Sequence, residues 1–412
     1  MKKSLVAMTA MAVVGAANAQ SSVTMFGILD MAASHYTNVT RTAQGNDITA
    51  SQTALTPSGL SQSRLGFRGT ENLGAGLAAS FWLEGSITGD TGGGGTGGLL
   101  FNRRSTVSLS SRFGEVRLGR DYTPTFWNDN VFDPFSNNGV GASLLSAANG
   151  YSSSGAATNG FTANPNYVRT SNSVGYFLPA DLGGFYGQVM FAMNEQTNYD
   201  PGSATPPGSA ALNANPALAL VPDNARAGRY WGARGGYANG ALDVALAYGV
   251  STLGSNYYLG TTTELDIWNL GASYDFGFAK VFGEFSNNKL NVEHSNPALS
   301  FPHPGAAGFL LGASVPVGPG LIRLAYSNVR YKDVVRPVAL ADVEPESEKF
   351  SLGYVHNLSK RTALYVSVAR LNNKNGADLL LGGPTYLPGG AATGPFTPKS
   401  STGYDIGMRT AF

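Results

Sequence analysis

Cysteine is absent from the 412 residues, which excludes a disulfide framework, a thiolate metal centre and a cysteine nucleophile. Charge is scarce. Only 13% of residues are Asp, Glu, Lys or Arg, about half the share a soluble domain carries. Lys+Arg 27 against Asp+Glu 26 leaves a net charge of +1, so no global field draws nucleic acid and no nucleic-acid partner is expected. After the N-terminus, no segment supplies the roughly 18 consecutive apolar residues of a transmembrane helix. Histidine is limited to His35, His294, His303 and His356, with no pair at metal-ligand spacing on a helix. The glycine-rich run at residues 91–98 lacks the Gly-Lys-Ser/Thr of a phosphate loop. No serine stands out beside a histidine with an orienting partner. The chain therefore reads as no enzyme, with no metal site and no cofactor.

Glycine and aromatics are plentiful: 54 Gly, and 11% Phe, Trp and Tyr. Residues 1–19, MKKSLVAMTAMAVVGAANA, have a Lys2-Lys3 start, a short apolar core and a small-x-small end at Ala17-Asn18-Ala19. They are expected to be a signal peptide, with the mature protein at 20–412. Beyond it, period-two alternation dominates. In residues 241–250, Leu242, Val244, Leu246, Tyr248 and Val250 alternate with Asp243, Ala245, Ala247 and Gly249. Tight connections such as Ala238-Asn239-Gly240, Asp275-Phe276-Gly277 and Val317-Gly318-Pro319-Gly320 supply turn residues suited to positive φ. They take turns with long Gly/Ser/Pro/Asn stretches, including 38–59, 85–100, 122–167, 195–226 and 372–400. Short turns at one end and long loops at the other are the mark of a transmembrane β-barrel. Sixteen antiparallel strands are expected, the first near 22–36, the second near 60–71 and the last near 402–412. A soluble sandwich would carry charge on its outer face; here the non-apolar faces hold Gly, Ser, Asn and Arg, as a wet lumen would.

Several segments resemble one family. Ser22-Val23-Thr24-Met25-Phe26-Gly27-Ile28-Leu29-Asp30, Ser63-Arg64-Leu65-Gly66-Phe67-Arg68-Gly69-Thr70-Glu71-Asn72-Leu73-Gly74, Arg112-Phe113-Gly114-Glu115-Val116-Arg117-Leu118-Gly119-Arg120-Asp121-Tyr122 and Arg169-Thr170-Ser171-Asn172-Ser173-Val174-Gly175-Tyr176 are similar, in this order, to the general diffusion porins of Gram-negative outer membranes, most closely the β-proteobacterial type. The chain also ends in Phe412 after alternating apolar residues, as barrels recognised by the insertion machinery do. The resemblance implies a sixteen-stranded barrel with short periplasmic turns, long extracellular loops and a third loop folded inward. It further implies a homotrimer embedded in outer-membrane lipid and lipopolysaccharide, passing small hydrophilic solutes. A substrate-selective porin and a surface adhesin using the long loops are the alternatives.

Strand parity nominates the pore wall. Leu65 and Phe67 point to lipid, so Arg64 and Arg68 point inward. Val107 and Leu109 face out, so Arg104 faces in; Val174 and Tyr176 face out, so Arg169 faces in. An arginine facing lipid would cost roughly 2–4 kcal/mol at mid-membrane. Strict alternation turns Arg117 in and Arg120 out, but the resemblance assigns Arg120 to the basic cluster, and a bulge at Gly119 is expected to redirect it. Phe81 and Leu83 face out, which places Trp82 and Glu84 in the lumen. On the third loop, Trp127, Phe132, Pro134, Phe135, Leu144 and Leu145 are expected to pack on the wall, with Asp129 and Asp133 facing the channel as the acidic side of the constriction. Simple counting of these charges predicts mild anion preference.

Overall fold

The computed structural model describes residues 22–94, 100–150, 164–196, 226–256, 260–294, 303–333, 343–387 and 396–412. The expected signal peptide lies outside them. The strands are β1 (Ser22–Arg41), β2 (Asp47–Pro57), β3 (Arg64–Gly74), β4 (Leu77–Ser86), β5 (Arg104–Ser111), β6 (Gly114–Tyr122), β7 (Arg169–Phe177), β8 (Phe185–Ala192), β9 (Tyr230–Asn239), β10 (Leu242–Asn256), β11 (Thr261–Asp275), β12 (Lys280–His294), β13 (Gly305–Val317), β14 (Gly320–Lys332), β15 (Glu346–Asn357), β16 (Thr362–Lys374) and β17 (Thr397–Ala411).

From β3 onward each strand pairs antiparallel with the next, and β17 pairs with β1. The first part of β1, Ser22–Ile28, pairs with β3 and closes the ring. This is a closed sixteen-stranded barrel. The seventeenth strand is β2, which pairs with the second part of β1, from Met31 to Arg41. β2 and β3 thus take successive places beside one long strand. The segment of β2 reads as loop in the sequence because its residues, DITASQTALTP, form no apolar face and are mostly exposed.

Asp30 fixes the break between β2 and β3. Its Oδ2 accepts from the backbone N–H of Leu60 (2.8 Å) and Ser61 (2.5 Å). Its carbonyl accepts from the Ser63 hydroxyl at 3.0 Å and the Ser58 N–H at 3.0 Å. One buried aspartate, through its carboxylate and its main-chain carbonyl, therefore supplies acceptors where the strand partner of β1 changes.

The wall alternates in the sense opposite to a soluble protein. In β16, Ala363, Tyr365, Ser367 and Ala369 are buried inside, while Leu364, Val366 and Val368 are exposed outside. Similar outward apolar pairs recur around the ring, among them Val107 and Leu109, Val189 and Phe191, and Ile406 and Met408. So large an exposed apolar band is stable only against hydrocarbon. Aromatics gather at the short-turn end: Tyr274 lies 4.7 Å from Phe276 and Phe185 5.0 Å from Tyr237, ring centre to ring centre. The β11–β12 turn there uses Gly277 at φ +84, with its N–H held by Asp275 Oδ1 at 2.7 Å. Among the described residues no helix is long and apolar enough to cross a membrane.

Between β6 and β7 the chain turns into the barrel. It forms helix α1 (Pro124–Val131), a 3-10 turn at Gly139–Gly141 and a short helix α2 (Leu144–Ala148). Phe132 and Phe135 are both 0% exposed, which by burial alone stabilises the loop by about 2–3 kcal/mol each. The wall receives them at glycines. A Cβ on Gly271 would overlap the Phe132 ring; one on Gly312 would lie 2.7 Å from Pro134, one on Gly353 3.0 Å from Phe135 and one on Gly308 2.8 Å from Leu145. These glycines lie on β11, β13 and β15, so the loop is socketed along that arc of the inner wall.

Candidate functional site: an arginine-lined lumen beside the third loop

The remaining arc encloses a cavity of about 1060 Å³, lined by residues of β3–β9 on one side and the third loop on the other. Among the described residues six arginines line it, Arg64, Arg103, Arg104, Arg117, Arg169 and Arg234, against two carboxylates, Glu84 and Asp121. The loop contributes Phe126, Trp127, Asn130, Ser136, Asn137, Asn138, Ala142 and Ser146, with no acid among them.

The charges are arranged in pairs and tiers. Arg103 Nε lies 2.5 Å from Glu84 Oε1, and Arg64 Nε 3.7 Å from the same oxygen. Trp82 Nε1 donates to Glu84 Oε2 at 3.1 Å. Arg117 reaches Asp121 at 2.6 Å and Glu115 at 2.9 Å, while Arg104 lies 3.5 Å from Asp121. Arg169 donates to the Tyr122 hydroxyl at 2.7 Å, as does Arg103 at 2.7 Å. Arg234 Nε donates to Asn128 Oδ1 on α1 at 2.8 Å and its Nη2 to the Tyr186 hydroxyl at 3.1 Å.

Most of these guanidiniums also lie over aromatic rings. The distances to the ring centre are 4.5 Å for Arg104 over Trp82, 4.0 Å for Arg117 over Phe177, 4.3 Å for Arg169 over Tyr122 and 4.7 Å for Arg234 over Tyr186. Arg68 sits 5.0 Å from the Trp82 ring and 5.3 Å from Phe26. Such contacts restrain a cation against the electron-rich face of the ring.

Of the residues nominated by parity, Arg64, Arg104, Arg169, Trp82 and Glu84 line the cavity, and Arg68 stacks beside them on Trp82. Arg120 does not line it. The register does shift between Gly119 and Asp121, and Gly119 has φ +122. The bulge turns in Asp121, however, which meets Arg117 and Arg104. Arg120 pairs opposite Ser105 and donates to the Asn102 carbonyl at 2.7 Å and the Ser171 hydroxyl at 2.8 Å.

The loop acids also lie elsewhere than the expectation that they face the channel. Asp129 is 0% and Asp133 2% exposed. Asp129 accepts from Asn269 (2.5 Å), Asn149 (2.9 Å) and the Tyr167 hydroxyl. Asp133 accepts from the backbone N–H groups of Phe135 (2.9 Å), Asn137 (2.9 Å) and Ser143 (3.0 Å). Burial raises both carboxyls above their ordinary range, an effect these donors oppose. They tie the loop to itself and to β11 and are closed off from the channel. Trp127, expected against the wall, is instead 38% exposed and lines the cavity.

Parity missed two of the lining arginines. Arg103 stands just before β5, where alternation does not yet apply, and its side chain folds back onto Glu84. Arg234 was within reach: Trp231 on β9 faces out at 46% exposure, which turns residue 234 inward.

A family model described as Gram-negative porin matches residues 5–376. The chain belongs to the Gram-negative porins. It is 38% identical over 413 residues to outer membrane porin protein 32 of Delftia acidovorans, with 100% of both chains covered. It is 29% identical over 397 residues to an outer membrane porin protein of Bordetella pertussis, covering 89% of this chain and 93% of the relative. Among solved structures, the anion-selective porin from Comamonas acidovorans is 35% identical with TM-score 0.69, covering 95% of this chain and 100% of that one. OmpT of Vibrio cholerae in its trimer form shares the fold at 14% identity and TM-score 0.55, covering 95% of this chain and 99% of that one. The protein is thus an outer-membrane porin, a β-barrel channel for passive diffusion, and the closed antiparallel barrel is the corresponding architecture.

Proposed function

We propose that this porin is an anion-preferring diffusion channel, with selectivity set by the arginine arc of its lumen. One observation carries the reading: six arginines against two carboxylates line the cavity, and the loop facing them adds no acid. A ring of like charge at a narrow, partly dehydrated passage raises the local concentration of counter-ions and depletes co-ions. Arg64, Arg103, Arg104, Arg117, Arg169 and Arg234 form the first tier. Arg68 and Arg120 act from behind it, through Trp82 and through the field at Arg169. Glu84 and Asp121 offset part of the charge and hold the guanidiniums in place. The anion-selective porin of Comamonas acidovorans, at 35% identity, supports the same sign.

The mature channel begins at Gln20 after removal of residues 1–19, assembles as a homotrimer as family membership suggests, and sits in outer-membrane lipid and lipopolysaccharide. The terminal strand with Phe412 is its signal to the insertion machinery. The deciding experiment is the reversal potential across a potassium chloride gradient in a planar bilayer. A potential of the sign set by chloride is expected; the potassium sign refutes the reading. An unheated gel that shows only monomer refutes the trimer.

A further inference from the structure

The lumen contains a large aromatic side chain with no evident structural purpose. Trp127 lies on α1 inside the barrel, away from lipid, and is 38% exposed. Its loop neighbours Phe132 and Phe135 are fully buried in wall sockets. Leaving an indole face against water forgoes burial that a wall position would have given. Trp127 also belongs to a stack. Its ring centre is 5.4 Å from that of Tyr122; Tyr122 lies 5.7 Å from Phe126 at an interplanar angle of 9° and carries the Arg169 guanidinium 4.3 Å from its ring centre. Arg169 lines the cavity and donates to the Tyr122 hydroxyl; its Nε is buried without a hydrogen-bond partner, so any contact with a solute falls to the other guanidinium nitrogens.

We propose that this corner of the lumen is a weak subsite for aromatic carboxylates, in which the solute's ring stacks on Trp127 and its carboxylate meets Arg169. The subsite rests on the anion-preferring reading above and narrows it to a class of solute. Three features point the same way. The arginines sit over aromatic rings, so an anion finds guanidinium N–H groups beside aromatic faces and not isolated point charges. Trp127 and Arg169 both neighbour the Tyr122 ring and all three line the cavity, which sets an aromatic face and a guanidinium in one corner of the lumen. The cavity of about 1060 Å³ is roomy enough that such a solute is slowed without being trapped, as conduction through a multi-site channel requires. A saturated ring offers the same charge and similar bulk, but no π face.

The test uses full-length protein in planar bilayers carrying a chloride current. Benzoate and cyclohexanecarboxylate are added in turn, and the half-blocking concentration of each is read. The benzoate value is expected to be about threefold to tenfold lower, the gain typical of one aromatic pair. Trp127→Ala is expected to bring the two values together, and Trp127→Phe to keep most of the difference. Equal half-blocking concentrations in the wild-type channel, with the chloride sign of the reversal potential intact, overturn the subsite and leave the anion-preferring reading standing. A potassium sign in the wild type overturns that reading and the subsite with it. A benzoate preference that persists in Trp127→Ala overturns the assignment to Trp127.

Discussion

The inner wall of this barrel has two arcs built on one strand pattern and filled in opposite ways. Along β11, β13 and β15 several inward positions that meet the loop are glycines, and the third loop presses phenylalanine, proline and leucine into the space they leave. Along β3–β9 several inward positions are arginine, tryptophan or tyrosine, and the space before them is open. The first arc is dry and close-packed, so its energetics are those of a soluble core. The second is wet, and its side chains are held by ion pairs and ring contacts. On the proposed reading, calibre and selectivity are set by different residues on opposite sides of the same lumen.

The largest expected effect comes from breaking the dry side. Phe132→Ala and Phe135→Ala each remove a buried ring and should cost about 3–5 kcal/mol of loop anchoring. Released from its sockets, the loop should no longer narrow the channel. Single-channel conductance should rise and flicker in the double variant; an unchanged, steady conductance would show that the loop is held elsewhere. Filling a socket from the other side, Gly271→Leu, should have the same effect, because a side chain there meets the Phe132 ring.

Next comes the wet side. Arg104→Ser with Arg64→Ser removes two cavity charges while leaving the glycine sockets and the Arg234–Asn128 bond to α1 untouched. At roughly 0.5–1 kcal/mol per screened charge, the chloride-to-potassium permeability ratio should fall about two- to fivefold per residue. Conductance should change far less than in the phenylalanine variants. If selectivity is unmoved, the arc does not control it. Raising salt from about 0.1 M to 1 M shortens the screening length from about 10 Å to 3 Å, so the wild-type preference should weaken between these conditions in the same measurement.

The smallest effect sharpens the boundary of the wet arc. Arg120→Ser should alter the permeability ratio less than Arg104→Ser does, since Arg120 donates to the Asn102 carbonyl and Ser171 hydroxyl and does not line the cavity. A shift equal to or greater than that of Arg104→Ser would return Arg120 to the first tier.

The strands were legible because lipid on one side and water or loop on the other impose a period of two. The same alternation located Arg64, Arg104 and Arg169 without any contact being known. It failed where the backbone stops alternating. At Gly119 the bulge was foreseeable, but which neighbour it would turn inward depends on where the carboxylate finds partners, and Arg117 and Arg104 supply those for Asp121. β2 was hidden because a strand that pairs on one side above the membrane needs no apolar face. Asp129 and Asp133 were misplaced for a different reason. A charged loop residue reads as solvent-facing, and nothing local reveals that Asn269, Asn149 and three backbone N–H groups converge on these two carboxylates. The rotation of a loop is fixed by what it docks against, and the docking partners here, Asn269 and the socket glycines among them, lie far along the chain on strands that the loop's own sequence does not announce.

Those glycines give the pore an adjustment separate from its chemistry. A solute never touches Gly271, Gly312 or Gly353, yet each sets how far one part of the loop can recede into the wall. Exchanging one of them for alanine would push the loop into the opening by little more than a methyl group's width. Sequence drift at three hidden positions can thus meter permeable size in small steps while the charge lining the passage stays the same.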